Sequence, residues 1–280
     1  LLFAFSGAAL QNLVGLLSRP ETSARNFSNY SVLISTTGFI GPLLAGFSID
    51  YSGHTVACIY LVTMSLVPAA LLVILGGVLP GGSRTAAPAG SVWEMLAGSG
   101  LWRVMATGSL VVSGIDLFQV YMPIYGHTVG LSASAIGVVL AMFSASAFVV
   151  RLFLPGLIFR LTEGKVLAFA FFIGAASFLL VPFFESAVAL ALISFAFGLG
   201  MGCGQPITLM MTYGNSPQGR SGEAMGLRVT VNHMTRVIVP VVFGSIGSLF
   251  GLLPVFWVNA LLLASGGAIT RPGKTGRTRQ

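Results

Sequence analysis

The sequence predicts an all-α, multi-pass transmembrane helical bundle, and three observations lead there. The chain of 280 residues is 55% hydrophobic and 8% charged, whereas a soluble domain carries about a quarter charged residues; its mean hydropathy is +0.92. Its apolar runs are about 20 residues long, enough to cross about 30 Å of hydrocarbon as helices. They lack the alternation over about ten residues expected of an outer-membrane barrel. A helix also satisfies every backbone donor and acceptor within its own segment, as lipid demands.

Nine runs read as spans, over residues 1–17, 30–49, 55–78, 104–126, 133–154, 166–184, 187–213, 223–248 and 252–270. The first is followed by Arg19 and Arg25. The second contains "STTGFIGPLLAGFSID", with Pro42 among glycines. The third leads into a polar loop, "PGGSRTAAPAGSVWEMLAGSG", bracketed by Arg84 and Arg103, where "SVWEML" reads as a short amphipathic helix with Trp93 at the interface. The fourth carries Asp116. The fifth and sixth meet among Arg151, Arg160 and Lys165. The seventh holds "GLGMGCGQPITLMMTY", the eighth "GLRVTVNHMTRVIVP", and the ninth ends in a tail with Arg271, Lys274, Arg277 and Arg279.

These basic residues fall in alternate loops. The intervening junctions, around 50–54, 127–132, 185–187 and 247–252, contain no Lys or Arg, so the basic loops are assigned to the cytoplasm. That bias accounts for the net charge of +7 without a nucleic-acid partner.

An internal repeat sets the architecture. An offset of 198 residues lays Ser18 on Ser216, Pro42 on Pro240, Gly46 on Gly244 and Gly53 on Gly251, making the second and eighth spans counterparts. If the copies are similar in length, about 100 residues precede this chain, enough for three spans, and the expected architecture is six plus six. The domain reading is then 1–79 for the remainder of a first bundle, 80–103 for the cytoplasmic loop between bundles, 104–270 for a complete second bundle and 271–280 for a basic tail.

On these grounds the chain resembles the major facilitator superfamily over its whole length, as helices four to twelve of twelve. "GFIGPLLAG" is similar to that family's exporter-associated helix-five motif: Gly41, Pro42 and Gly46 match, Ala45 replaces a glycine, and Gly38 stands one place nearer the Gly-Pro pair. Independently of the family, Pro42 removes a backbone donor and bends its helix. The Gly41 to Ala45 and Pro42 to Gly46 spacings present a shallow face to a neighbour. Gly38, Gly41, Pro42, Gly46, Pro240 and Gly244 are therefore assigned to a hinge or to tight helix packing. The family's gating-loop motif finds its better trace at Gly156, Arg160, Gly164 and Lys165, with Arg160 in place of the acid and one residue inserted. Gly46, Asp50, Gly53 and His54 also fit its spacing, but their junction lacks the motif's basic residues.

Ionisable groups at half depth are the strongest functional pointers, because each is costly facing lipid. Asp116 and Arg236 lie near the middle of their spans. Ser109, Ser113, Asp116 and Gln119 form one polar stripe, with Asp116 as a proton carrier or as the static partner of Arg236. Arg228, Asn232, Arg236 and Pro240 recur every four residues on one side of the eighth span; Arg236 calls for a carboxylate, a carbonyl cluster or an anionic substrate. Glycines 198, 200, 202 and 204 break the seventh span before Gln205, Thr208 and Thr212, a polar edge that either lines a site or packs.

Cys58 and Cys203 stand apart, and the three histidines are scattered, so no disulfide, metal site or catalytic cluster is indicated. The expected function is secondary active transport of a small molecule by a monomer in the lipid bilayer of a cell membrane, the inner membrane in a bacterium. No cofactor is expected; a proton gradient is the energy source. The resemblance favours export of a drug-like or metabolic compound, with organic-anion import and a non-transporting sensor as alternatives.

Overall fold

A computed structural model describes residues 23–75, 100–217 and 220–270. The span expected over 1–17, most of the inter-bundle loop and the basic tail lie outside the described residues.

Everything described is helix and connection, without a strand. Helix α1, Ser23–Leu75, is broken at Gly53, whose φ of 78° and ψ of 165° separate two arms at the junction expected between the second and third spans. A residue with a Cβ rarely adopts that conformation. The remaining helices are α2 (Leu101–Thr128), α3 (Ala133–Leu161), α4 (Glu163–Leu180), α5 (Ala187–Met201), α6 (Gly204–Asn215), α7 (Ser221–Phe250) and α8 (Leu252–Ile269). A 3-10 turn, Val181–Phe183, follows α4. With α5 and α6 counted as one interrupted span, six helices from α2 onward are long and apolar enough to cross a membrane.

Helix α3 is central: α1 lies along one side and α5 along another, α4 packs between α5 and α8, and α2 packs against α6 and α7. Four phenylalanines join α2, α3, α4 and α5 at the core. Phe118 stacks on Phe197 at 4.4 Å between ring centroids, and Phe178 meets both edge-on at 6.0 and 5.3 Å. Each such pair contributes about 0.5–1.5 kcal/mol beyond area burial. Between helices in lipid, close packing carries most of the association, and the glycines of α5 supply it: a Cβ at Gly198 would strike Ser146 and the Phe143 carbonyl, and one at Gly202 would lie 2.5 Å from the Ala147 Cα.

Tight connections fix the helix ends. Ser132 caps α3 by accepting from Ala135 N, and Ser186 caps α5 by accepting from Ala189 N, both at 3.2 Å. Gly251, with φ 84°, turns α7 into α8.

Three expectations change here. The gating segment is not a loop: α3 runs on to Leu161, so Gly156 and Arg160 sit in its last turns, Lys165 sits in the first turn of α4, and Thr162 alone joins the two helices. The apolar residues Leu157, Ile158 and Phe159 continue α3 without a breaker past the expected end at 154, to Leu161. Arg151 likewise belongs to the body of α3 rather than to a basic loop. Finally, the last residues of the expected inter-bundle loop, 101–103, are already helical.

Candidate functional site

The two half-depth charges meet. Arg236 on α7 donates through Nε to Asp116 Oδ2 on α2 at 3.1 Å, with 45% and 21% of the respective side chains exposed. Every-fourth-residue spacing places Arg228, Asn232 and Arg236 on the side of α7 that faces α2 and α6. Of the stripe on α2, Ser113 is buried, Ser109 and Asp116 are partly exposed and Gln119 is exposed, so the stripe runs from the bundle interior to its surface.

One to two turns from that pair is a second polar cluster. Arg228 Nη2 donates to Gln205 Oε1 at 2.8 Å and lies 3.3 Å from both the Gln205 carbonyl and Thr208 Oγ1. Thr208 is buried and donates its own hydroxyl to the Gln205 carbonyl at 3.1 Å; Thr212, also buried, donates to the Thr208 carbonyl. Helix α2 backs the cluster with Gly108, where a Cβ would lie 3.9 Å from Asn232 Oδ1 and from the Thr208 Cβ. Gln205 and Thr208, expected on the seventh span, thus meet Arg228 of the eighth, and Asn232 follows one turn along α7.

The helix interruption beside this cluster is held from α3. Arg151 Nε donates to the Gly202 carbonyl at 3.0 Å, which places a guanidinium at the C-terminal end of α5, where the helix dipole favours a cation. Gly204 packs on Val111 of α2, where a Cβ would meet Val111 Cγ1 at 2.6 Å, and Gly200 packs on α4. The glycine run is therefore the packing seam of the span, and the polar edge follows it.

A third constellation joins α1 to α3. Asp50 accepts from Ala133 N at 3.0 Å through Oδ1 and from Ser134 N at 2.7 Å through Oδ2, capping the first turn of α3 from another element. Below it the backbones touch: a Cβ at Gly46 would strike the Ala133 carbonyl, and one at Gly137 would lie 2.5 Å from the Pro42 carbonyl. Ser144 Oγ donates to the Gly38 carbonyl at 2.8 Å. Gly38, Pro42 and Gly46 therefore lie on the contact face. Gly41 meets nothing within 4 Å among the described residues, and neither does Gly244, the repeat counterpart of Gly46. Hydrogen bonds from the Ser134 side chain and backbone, opposed by partial desolvation and supported by Ala133 and Ser132, hold the Asp50 carboxyl below the usual carboxylate range.

Asp50, Arg151 and Arg228 are the residues whose contacts sequence reasoning missed or undervalued. For Asp50 the signal was present, an acid four residues beyond Gly46 at the end of a span, facing a serine-rich helix start, "SAS", in the next basic-free junction.

Residues 1–240 match the family model described as Major Facilitator Superfamily. No curated protein matches the chain.

Proposed function

The chain belongs to the major facilitator superfamily, and on that premise we propose that it moves a small molecule by alternating access, as a proton-coupled exporter of a drug-like or metabolic compound. The family makes it a multi-pass membrane transporter; direction, coupling and the working residues are the proposal.

The observation that carries the reading is the seam between α1 and α3. It is made of backbone approaching backbone at Gly46 and Gly137 and is fastened at one end by the Asp50 carboxylate. Such a contact has few interlocked side chains to unpack, so the helices can separate at one end while the other stays closed. The discrete acceptor at Asp50 gives the closed arrangement a defined energy minimum. At half depth, Asp116 is the carboxyl that can exchange its Arg236 partner for a proton, which links protonation to the position of α7 against α2.

Reconstituted vesicles with an imposed pH gradient test this. A panel of labelled organic compounds should include at least one that accumulates against its gradient as protons run the other way, with the rate lost on collapsing the gradient. Downhill movement unaffected by the gradient would remove proton coupling. Uptake together with protons would favour organic-anion import, a reading supported by the unneutralised charge of Arg228.

A further inference from the structure

Arg228 is a guanidinium on the inner side of α7 with no carboxylate partner among the described residues. There Asp116 is engaged by Arg236, Glu223 by Arg220 through Oε2, and Asp50 by the start of α3, and neither Glu163 nor Glu185 forms a salt bridge with it. A single nitrogen of Arg228, Nη2, serves all three of its neighbours, and each of those is neutral. The buried Nε has no partner among the described residues, and Nη1 makes no hydrogen bond there, so three of the five N–H donors of a guanidinium are unused. Arg228 is partly buried, and a cation withdrawn from water gains from a partner of opposite charge; arginine's planar fork suits a carboxylate, sulfonate or phosphate.

The surroundings favour an oxyanion. Thr208 spends its hydroxyl proton on the Gln205 carbonyl, and Gln205 presents its amide oxygen to Arg228, which leaves the Gln205 amide NH2 as a donor. Asn232, one turn along α7 from Arg228, adds a second amide. Gly108 on α2 lies opposite them, where a Cβ would reach only ordinary contact distance, 3.9 Å, from Asn232 Oδ1 and from the Thr208 Cβ. The donors come from two helices, α6 and α7, at the interruption of the α5–α6 span, with α2 closing the third side.

We propose that Arg228, Gln205 and Asn232 form an anion subsite and that the transported compound is an organic anion whose carboxylate, sulfonate or phosphate docks on Arg228. This deepens the transporter reading and rests on it for the word transported; the subsite itself stands on the geometry.

The test is calorimetric titration of the purified protein in phosphatidylcholine nanodiscs with benzoate, benzenesulfonate and phenyl phosphate, against benzyl alcohol and benzylammonium. At least one anion should bind about tenfold or more tightly than benzyl alcohol. Arg228→Gln should bring the two within about threefold, and Arg228→Lys should keep part of the preference, since charge remains while the fork is lost. Equal binding of anion and alcohol by the native protein overturns the proposal without any variant, so it does not depend on Arg228→Gln folding. Nanodiscs containing phosphatidylglycerol distinguish the source of the anion: a headgroup that blocks Arg228 and resists displacement by all three probes assigns the site to lipid and overturns the substrate class. Vesicle transport is scored separately. Anion binding that depends on Arg228 without any transport upholds the subsite and sinks the transporter reading, whereas transport of neutral or cationic compounds alone does the reverse.

Discussion

Asp116 and Arg236 are paired at mid-span, where each offsets the cost of the other in the membrane. Replacing Asp116 by Asn should lower Tm, because Arg236 loses its carboxylate, and proton-driven transport should fall at least tenfold; Asp116→Asn combined with Arg236→Gln should recover the stability but not the proton-driven transport. Transport that survives Asp116→Asn would return the pair to a purely structural role. Asn259 on α8 makes the opposite case. It is fully buried, and both atoms of its amide lack a partner among the described residues, a desolvation cost of about 1–3 kcal/mol. Asn259→Leu, close in shape and free of that cost, should raise Tm in detergent; a fall would show that the amide is satisfied by bound water. The half-depth charges were legible in the sequence because lipid makes every ionisable residue conspicuous. The orphaned Asn259 was not, since an uncharged amide within "VNALLL" leaves no mark on hydropathy, and the state of Arg228, without a carboxylate among the described residues, needed the positions of the acids to be seen.

Among the elements, the α1–α3 seam and the α3–α4 joint make contrasting demands on the backbone. Gly46 and Gly137 are occupied sites in the sense that a side chain at either would collide with a carbonyl of the other helix; Gly46→Leu should prise α1 from α3, a loss of about 1–3 kcal/mol or more from overpacking. Asp50→Asn should weaken the cap without distorting it and increase the population open at that end, read as faster labelling of a cysteine placed at Ser134. The sign of its pH dependence follows from the lowered pKa: the cap is fully formed above the ordinary value of 3.8 and is lost only as pH falls through the lower folded value. Opening at this end should then be flat from about pH 5 to 8 in the native protein, and any steep change there would belong to another group. At the joint, Thr162 carries φ 75°, a conformation costly for a β-branched residue. Thr162→Gly should stabilise by about 1 kcal/mol, measured by thermal unfolding, and no gain would mean that the flanking helix ends, not the side chain, set the strain. The lengths of the apolar runs placed a junction at 50–54, where the Gly53 break falls. The continuation of α3 through Arg160 could not be read in that way, because a charged residue at a helix end looks like a loop when spans are judged by apolarity alone.

At the scale of the whole molecule, the charge pattern and the packing agree by separate routes that two junctions share one end of the bundle. The junctions at 50–54 and 127–132 contain no Lys or Arg, and the positive-inside rule puts both on the non-cytoplasmic side. The structure brings them together, since Asp50 reaches Ala133 and Ser134 directly, as it must if both lie at one end of their spans. The internal repeat reads less evenly: Gly46 is pressed against α3 while its counterpart Gly244 faces open space among the described residues, so equivalence in sequence does not extend to equivalence in contact. Tyr51 and Thr128 are exposed at the Asp50 end and Lys165 at the opposite one, which makes orientation directly measurable. With the exposed Cys58 replaced by Ser, Tyr51→Cys and Thr128→Cys should react with a membrane-impermeant maleimide added to intact cells, and Lys165→Cys should react only after the cells are opened. The reverse pattern would invert the whole topology and, with it, the face that Asp50 closes. If the orientation holds, adding a transported compound should change the labelling of Ser134→Cys and of a cysteine at the Arg228 end in opposite directions, because opening one end of a rocking pair of bundles closes the other; parallel changes would fit a channel or a loosened fold instead.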